Sequence, residues 1–429
     1  MPVQPLTELI RFVRRQSPFY AELYAGVPDR VTELTQLPVV PQAGFWQANT
    51  PRANRLLTGP LDEAVVFKSG GTTGAPKFSF YTREEWREFT SAFGAGLLES
   101  GLRPGHRVAD LFYAGDLYAS FTFILDSLHR SPVANVRLPI GGAAPLESTV
   151  HTLEQFDVEV VAGTPTTLCA LADHLVAAGR QLPQVELLLF GGESLYPDQE
   201  PLLARAFPNA RPRSVGYASV DAGLLGCAVP GHDPRVHRAF TPYTVVEILD
   251  EESGEPITEA GVPGKVVVSD LRRRLMPVLR YPAGDRAEWT GTGPGHFRIL
   301  GRSQEGVRVG PVSLYTQDVQ DLVRAADAAG RVTGVQLVVR HWDGRDGLLL
   351  RLASDGDPAG IRDRGDLSDL SDLGDMIRKQ LLADRPSFGE SVDARHIHPL
   401  ALEWVRHGDL AVNARSGKLI RVVDERAGS

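Results

Sequence analysis

Ten residues, KSGGTTGAPK at 68–77, lie between two stretches that read as β-strands, VVFKS before them and KFSFYT after. In the second stretch Phe78 and Phe80 occupy alternate positions, as one face of a strand requires. This placement restricts the fold. A glycine-rich phosphate loop of the ATPase type ends in Gly-Lys-Ser/Thr and opens directly into a helix. Here Lys77 follows Pro76, no hydroxyl residue follows it, and the chain continues as a strand. A loop between strands has no helix N-terminus to offer an anion. It must use the backbone N–H groups of Gly70, Gly71 and Gly74, the hydroxyls of Ser69, Thr72 and Thr73, and the Lys77 ammonium. Such a clamp suits a triphosphate whose pyrophosphate must leave, whereas a plain hairpin turn needs no such density of donors.

The flanking sequence extends the pattern. Thr82 with Glu85 predicts a capping box, opening a helix through REEWREFTSAFGAGLLES that stops at Gly101. RVADLFY, VEVVAGT and VELLLFGG read as buried strands, the first two followed by helical patterns such as PTTLCALADHLVAAG. The alternation predicts a layered α/β fold with largely parallel pairing. From about residue 240, TVVEILDEESGEPI, GKVVVSDL and VLRYPAGDRAEWTG predict a β-rich subdomain. After FRILGRSQEG the chain restarts as a small α+β unit. Its segments are RVGPVSLYTQDVQDLVRAA, VTGVQLVVRHW, GLLLRLA and a helix near DMIRKQLLA. The expected division is a large domain over 1–302 and a small one over 303–429. The Asp/Gly-biased SDGDPAGIRDRGDLSDLSDLGD reads as a solvated loop leading into a negatively charged helix start.

A chain of 429 residues, 42% hydrophobic and 23% charged, is an ordinary globular protein long enough for two domains. No apolar run reaches bilayer length, and the opening MPVQPLTELIRFVRRQ, with Pro5 and Glu8, resembles neither a signal nor a transit peptide. A net charge of −8 gives no reason to expect a nucleic-acid partner. Cys169 and Cys227 are the only cysteines, which excludes a disulfide framework. Cys227, His232 and His237 are spaced C-x4-H-x4-H but lack a fourth ligand for a zinc site. A cytoplasmic enzyme or binding protein, without membrane or nucleic-acid partners, is the expectation.

With these residues in view, the sequence resembles the adenylate-forming superfamily of acyl-CoA synthetases, and within it the phenylacetate–CoA ligase branch. FKSGGTTGAPKFSFYT is similar to that family's phosphate loop, and QSPFYAELYAGVPDRVTELTQLPVV to its N-terminal lead. VVAGTPTTLCALAD resembles a strand–helix segment bordering the acyl site, and LLLFGGESL the turn that reaches adenine. VGYASVDAG stands in place of the Tyr-Gly-x-Ser/Thr-Glu motif, and PVLRYPAGD resembles the ribose motif. LGRSQEGVRVGPVSLYTQDVQ resembles the hinge region, and ARSGKLIRVVD the C-terminal lysine motif.

The resemblance implies ATP-dependent activation of a carboxylic acid as an acyl-adenylate, then transfer to a thiol, usually coenzyme A. By the same resemblance Asp221 would hold Mg²⁺, and Asp285 and Arg302 would reach the ribose. Tyr217 and Ala218 would lie at adenine, with Gly191, Gly192 and Glu193 approaching its other side. Lys418 would donate to the reacting carboxylate and bridging oxygen. It would sit on a small mobile domain, hinged near residues 302–305. YAGDLYASFTF, offering Tyr113, Tyr118 and Phe121, stands where the aromatic-acid ligases line their acyl pocket. Asp116 in that stretch is expected to face solvent or to pair with an amine or hydroxyl of the substrate. Two departures bear on turnover: Val220 replaces a hydroxyl residue, and Asp221 is one methylene shorter than the family's glutamate. Transfer to an amine or a carrier protein, or nucleotide binding without turnover, are the alternatives. The resemblance also implies a homodimer.

Overall fold

Thr82 ends one strand and starts the next helix. Its hydroxyl accepts from Glu85 N at 3.1 Å while the Glu85 carboxylate accepts from Thr82 N at 2.8 Å, completing the capping box at the start of helix Arg83–Gly96. The computed structural model describes residues 6–69, 77–196, 199–302, 306–354 and 367–426. It divides into two compact units that do not follow chain order: residues 1–142 with 212–302, and residues 143–211 with 303–429.

In the first unit, strands Ala64–Ser69 and Lys77–Thr82 pair antiparallel, from Ala64 opposite Thr82 to Ser69 opposite Lys77. The two anticipated strands are therefore present, and residues 70–76 between them lie outside the described residues. Helix Arg83–Gly96 buries Trp86, Phe89 and Phe93, whose rings meet those of Phe67, Tyr81 and Phe123. Burying each such ring stabilises the fold by about 2 kcal/mol. The α-helix ends five residues before the expected Gly101, because the bonds Leu98→Ala95, Glu99→Gly96 and Gly101→Leu98 tighten the chain into successive turns. Gly101 then supplies the positive φ, +103°, at which the chain leaves them.

Strands Arg107–Asp110 and Val136–Pro139 pair in parallel, with helix Ser120–His129 between them in sequence. The remainder of this unit is a seven-stranded antiparallel sheet among the described residues. Its order runs Thr244–Leu249, Gly264–Asp270, Val278–Trp289, His296–Arg302, Val236–Ala239, Gly223–Ala228 and Tyr217–Ser219. Its core takes in Tyr20, Tyr24 and Phe45 from the N-terminal helices together with Tyr281 and Phe297. Buried Tyr20 keeps a partner, donating to Pro277 O at 2.8 Å.

In the second unit, Val160–Gly163 and Leu187–Phe190 are parallel and buried at every position, as their uninterrupted apolar runs require. Helix Pro165–Ala177 connects toward the second strand. Thr164 caps it through Thr167 N at 3.2 Å, and Pro165 occupies the first turn, where it forfeits no helical bond. A four-stranded sheet is ordered Ala401–Val405, Arg345–Ser354, Val332–Trp342 and Val422–Asp424. Helices Thr316–Ala326, Leu367–Asp384 and Pro386–Asp393 contribute Leu322, Leu373, Ile377 and Phe388 to its core. Residues 355–366 of the Asp/Gly-biased stretch are outside the described residues. No helix among the described residues is long and apolar enough to cross a membrane.

Candidate functional site

The expected site residues fall into two constellations, one in each unit. In the first unit, Ser69 ends its strand with its hydroxyl donating to the Asp221 carboxylate. The first hydroxyl of the phosphate loop and the anticipated metal-holding side chain are therefore together. Gly70, Gly71, Thr72, Thr73 and Gly74 lie outside the described residues. Lys77, at the other end of the loop, has its ammonium 5.3 Å from the centroid of the Trp46 ring.

Asp221 is held from behind. Arg273, 2% exposed, donates through Nη1 to the Asp221 carbonyl at 2.8 Å and through Nη2 to the Phe80 carbonyl at 3.4 Å. Its guanidinium carbon lies 4.1 Å from the centroid of Tyr81, whose hydroxyl donates to Val220 O at 2.8 Å. One buried cation thus fastens the Lys77–Thr82 strand to the turn carrying Asp221. Glu85 adds a second tie, its other oxygen accepting from Arg274 N at 2.7 Å and Leu275 N at 2.9 Å. The sequence marked neither role for these residues: Arg273 is the middle of three consecutive arginines, and only tertiary contact distinguishes it.

The Tyr217 hydroxyl donates to Asp285, joining the residues expected at adenine and ribose. Asp285 follows Gly284, whose φ is +86°, and pairs in register with Arg302 on the neighbouring strand. Ala218 pairs with Leu224 just after a register shift at Tyr217. The Tyr217 ring stands 5.8 Å from His237 and 6.1 Å from Phe297, centroid to centroid. His237 is a buried structural histidine. Nδ1 lies 2.9 Å from the Arg235 carbonyl, which can only accept, so that nitrogen carries the proton and Nε2 accepts from Ser214 Oγ at 3.0 Å. Burial pushes its pKa down to about 4. The Cys227 thiol donates to Arg238 O at 3.4 Å. No group of three or more His, Cys, Asp or Glu suited to a metal occurs among the described residues.

The stretch expected to line an acyl pocket folds back on itself. Phe121 N and Ser120 Oγ both donate to Tyr113 O, at 3.1 Å each, and Tyr118 N donates to Gly115 O at 2.8 Å. A Cβ on Gly142 would come within 2.3 Å of the Tyr113 ring, so glycine there makes room for it. Asp116 and Leu117 both hold positive φ, +47° and +60°. The Asp116 carboxylate, largely exposed, meets Lys68 Nζ at 2.5 Å, and Lys68 N donates to Leu117 O at 2.9 Å. Lys68, which the sequence left without a task, holds this bend.

In the second unit the Gly191–Glu193 turn and the lysine motif converge. Gly192 has φ +78°, and a Cβ there would lie 3.0 Å from Lys418 Cε and 3.3 Å from its Nζ. The absence of a side chain admits the lysine stem. Glu193 Oε1 accepts from Leu419 N at 2.6 Å, while Oε2 accepts from Thr166 Oγ1 at 2.7 Å and Thr166 N at 3.2 Å. Lys418 sits on a tight hairpin: Asn413 N donates to Lys418 O at 2.8 Å and Gly417, at φ +64°, donates to Asn413 O at 2.7 Å. Gln336, fully buried on strand Val332–Trp342, closes the hairpin's base. Its Nε2 reaches Ile420 O at 2.5 Å and Ala411 O at 3.1 Å. A lone amide inside the apolar run VTGVQLVVRHW was the available signal for this role.

No protein-family model matches the chain. The phenylacetate–coenzyme A ligase of Thermus thermophilus is 28% identical over 356 residues, covering 78% of this chain and 77% of that protein. The indoleacetate–lysine synthetase of Pseudomonas savastanoi is 24% identical over 258 residues, 59% of this chain and 60% of its own length. Among solved structures, 2-hydroxyisobutyryl-CoA ligase in the postadenylation state, bound to 2-HIB-AMP, superposes with a TM-score of 0.79 at 18% identity. That match covers 99% of this chain and 89% of the ligase. In its sequence relatives the chain is similar to the phenylacetate–CoA ligases, and its fold is that of the adenylate-forming ligases.

Proposed function

We propose that the protein activates an aromatic carboxylic acid with ATP and transfers the acyl group to coenzyme A. A carboxylate oxygen attacks the α-phosphorus, and the bond to the oxygen bridging the α- and β-phosphorus breaks, leaving with its electron pair as pyrophosphate. The thiolate of coenzyme A then attacks the acyl carbon and expels AMP. The first step brings anion to anion, so fixed donors and cations must face the developing charge. In this reading Lys418 donates to the reacting carboxylate and the bridging oxygen, and Ser69, Lys77 and the glycines and threonines of 70–74 serve the outer phosphates. Asp285 and Arg302 take the ribose, and Tyr217, Ala218 and the Gly191–Gly192 turn take adenine. Tyr113, Tyr118 and Phe121 offer aromatic walls to the acid.

Magnesium, a hard cation that prefers oxygen ligands, would be held by the Asp221 carboxylate beside the Ser69 hydroxyl, neutralising phosphate charge when bound. We also take 303–429 to be the small C-terminal domain. The observation that carries the reading is the meeting of Lys418 with Gly192 and of Leu419 N with Glu193, residues 226 positions apart in the chain. A surface lysine after a glycine turn has no reason to be placed so.

The test is acid-dependent ATP–pyrophosphate exchange over a panel of aromatic acids, followed by detection of the CoA thioester. Lys418→Ala is expected to lower exchange by about 10²-fold or more while ATP binding changes by no more than a few-fold. Equal losses in both would contradict the role. A second reading, transfer to an amine, draws support from the similarity to indoleacetate–lysine synthetase. Exchange without any CoA thioester would favour that reading, or a carrier-protein acceptor.

A further inference from the structure

We infer that Glu193 is a positioning residue for Lys418: its carboxylate clamps the peptide after the lysine to the start of helix Pro165–Ala177. This deepens the proposed function and rests on the role given there to Lys418. By resemblance alone Glu193 belongs with the residues around adenine. Its geometry here assigns a different task.

Both carboxylate oxygens are engaged by the protein. Oε2 takes Thr166 N and Thr166 Oγ1, and Oε1 takes Leu419 N at 2.6 Å. Thr166 N belongs to the first turn of a 13-residue helix, where N–H groups lack intrahelical partners and the helix dipole favours negative charge. The helix start therefore supplies a fixed seat for the carboxylate. Thr166 Oγ1 also lies 3.2 Å from Leu419 N, so the same N–H is shared between two acceptors on that seat. Leu419 N is part of the peptide bond that joins it to Lys418. Fixing this peptide plane fixes the direction in which the lysine side chain leaves the backbone. Gln336 holds the hairpin at its base, where Leu337 N also donates to Arg421 O at 2.8 Å, and these ties do not fix the Lys418–Leu419 peptide itself. A long, flexible ammonium stem needs its root fixed if the charge is to meet a transition state reproducibly.

Three properties separate this role from contact with a nucleotide or from plain structural support. Loss of the clamp should loosen the hairpin locally, lower the rate of adenylation, and leave ATP affinity alone. The experiment combines hydrogen–deuterium exchange of residues 411–420 with ATP–pyrophosphate exchange kinetics, on wild type, Glu193→Ala, Glu193→Gln and Thr166→Val. In Glu193→Ala the Leu419 amide is expected to exchange about tenfold faster or more, with kcat lowered by a similar factor and the KM for ATP within about twofold. Glu193→Gln keeps a carbonyl oxygen for Leu419 N and should recover most of both losses, while Thr166→Val should show a weaker form of them. Unchanged Leu419 exchange in Glu193→Ala would overturn the inference. So would a fall in ATP affinity parallel to kcat, or a glutamine variant as impaired as alanine. If wild type shows no acid-dependent pyrophosphate exchange, the proposed function fails, and the hydrogen-exchange comparison still decides whether the clamp exists.

Discussion

Arg273 and Asp221 are joined through the backbone: the buried guanidinium donates to the Asp221 carbonyl at 2.8 Å, leaving the carboxylate to face Ser69. The same guanidinium covers Tyr81 and reaches Phe80 O. Arg273→Leu is expected to destabilise the protein by about 2–4 kcal/mol, because two buried carbonyls lose their donor. Lysine at this position should recover little, having neither the planar fork nor the stacking face. Chemical denaturation measures this, and a loss below the experimental error would show that the carbonyls find other donors.

Tyr217→Phe removes the hydroxyl that holds one oxygen of Asp285. A hydrogen bond to a charged acceptor contributes about 1.5–3 kcal/mol, so ATP affinity should fall by about tenfold as the carboxylate loses its orientation. Equilibrium titration with ATP checks this. Unaltered affinity would mean that Asp285 is oriented by its strand alone.

Gly192→Ala meets two obstacles at once, a φ of +78° and a Cβ placed 3.0 Å from Lys418 Cε. Gly179, at φ +65° with nothing within 4 Å of the place a methyl would take, meets only the first. Both alanine variants should therefore lose about 1 kcal/mol of stability from backbone strain. Only Gly192→Ala should also slow pyrophosphate exchange, by about tenfold. Equal kinetics in the two variants would separate the lysine from the turn.

Asp110 is fully buried, its Oδ1 accepts from Phe112 N at 2.9 Å, and its Oδ2 has no hydrogen-bond partner. Burial raises its pKa from 3.8 to about 8. The folded state thus holds a proton that the unfolded chain releases, so this group's contribution is complete below pH 3.8 and is lost as pH rises through 8. Over the whole window the loss is about 6 kcal/mol. Asp110→Asn, which cannot ionise, should be more stable than wild type at pH 8 and close to it at low pH. Urea titrations at several pH values give the comparison; parallel curves for the two proteins would rule it out.

The sequence disclosed what depends on neighbours in the chain. The Thr82–Glu85 capping box, the Val332–Trp342 strand and the strands Ala64–Ser69 and Lys77–Thr82 are written in local spacing, and the structure has them. Motif order also brought Ser69 together with Asp221, Tyr217 with Asp285 and Lys418 with the Gly191–Glu193 turn into one reading. What it did not disclose are the supports. Arg273, Lys68 and Gln336 each act across 48 residues or more; Gln336 stands out as a lone amide in an apolar run, while nothing in the immediate neighbours of Arg273 or Lys68 sets them apart. Asp116 illustrates the limit: its odd place in an aromatic stretch was visible, and its lysine partner was not.

The Tyr217–Asp285 bond also reports on the curvature of the sheet that bears it. Their strands are four positions apart in the strand order, which in a flat sheet would separate them by about 19 Å. The tyrosine crosses His237 and Phe297 on the way, so the sheet must curl until strands distant in the order share one concave face. The hydroxyl–carboxylate contact is then a gauge of bending. The register shift between Val278–Trp289 and His296–Arg302, at Arg286 and Ala287, lies within that span and is the kind of irregularity that bends a sheet. Substitutions there would open the pair without touching either residue.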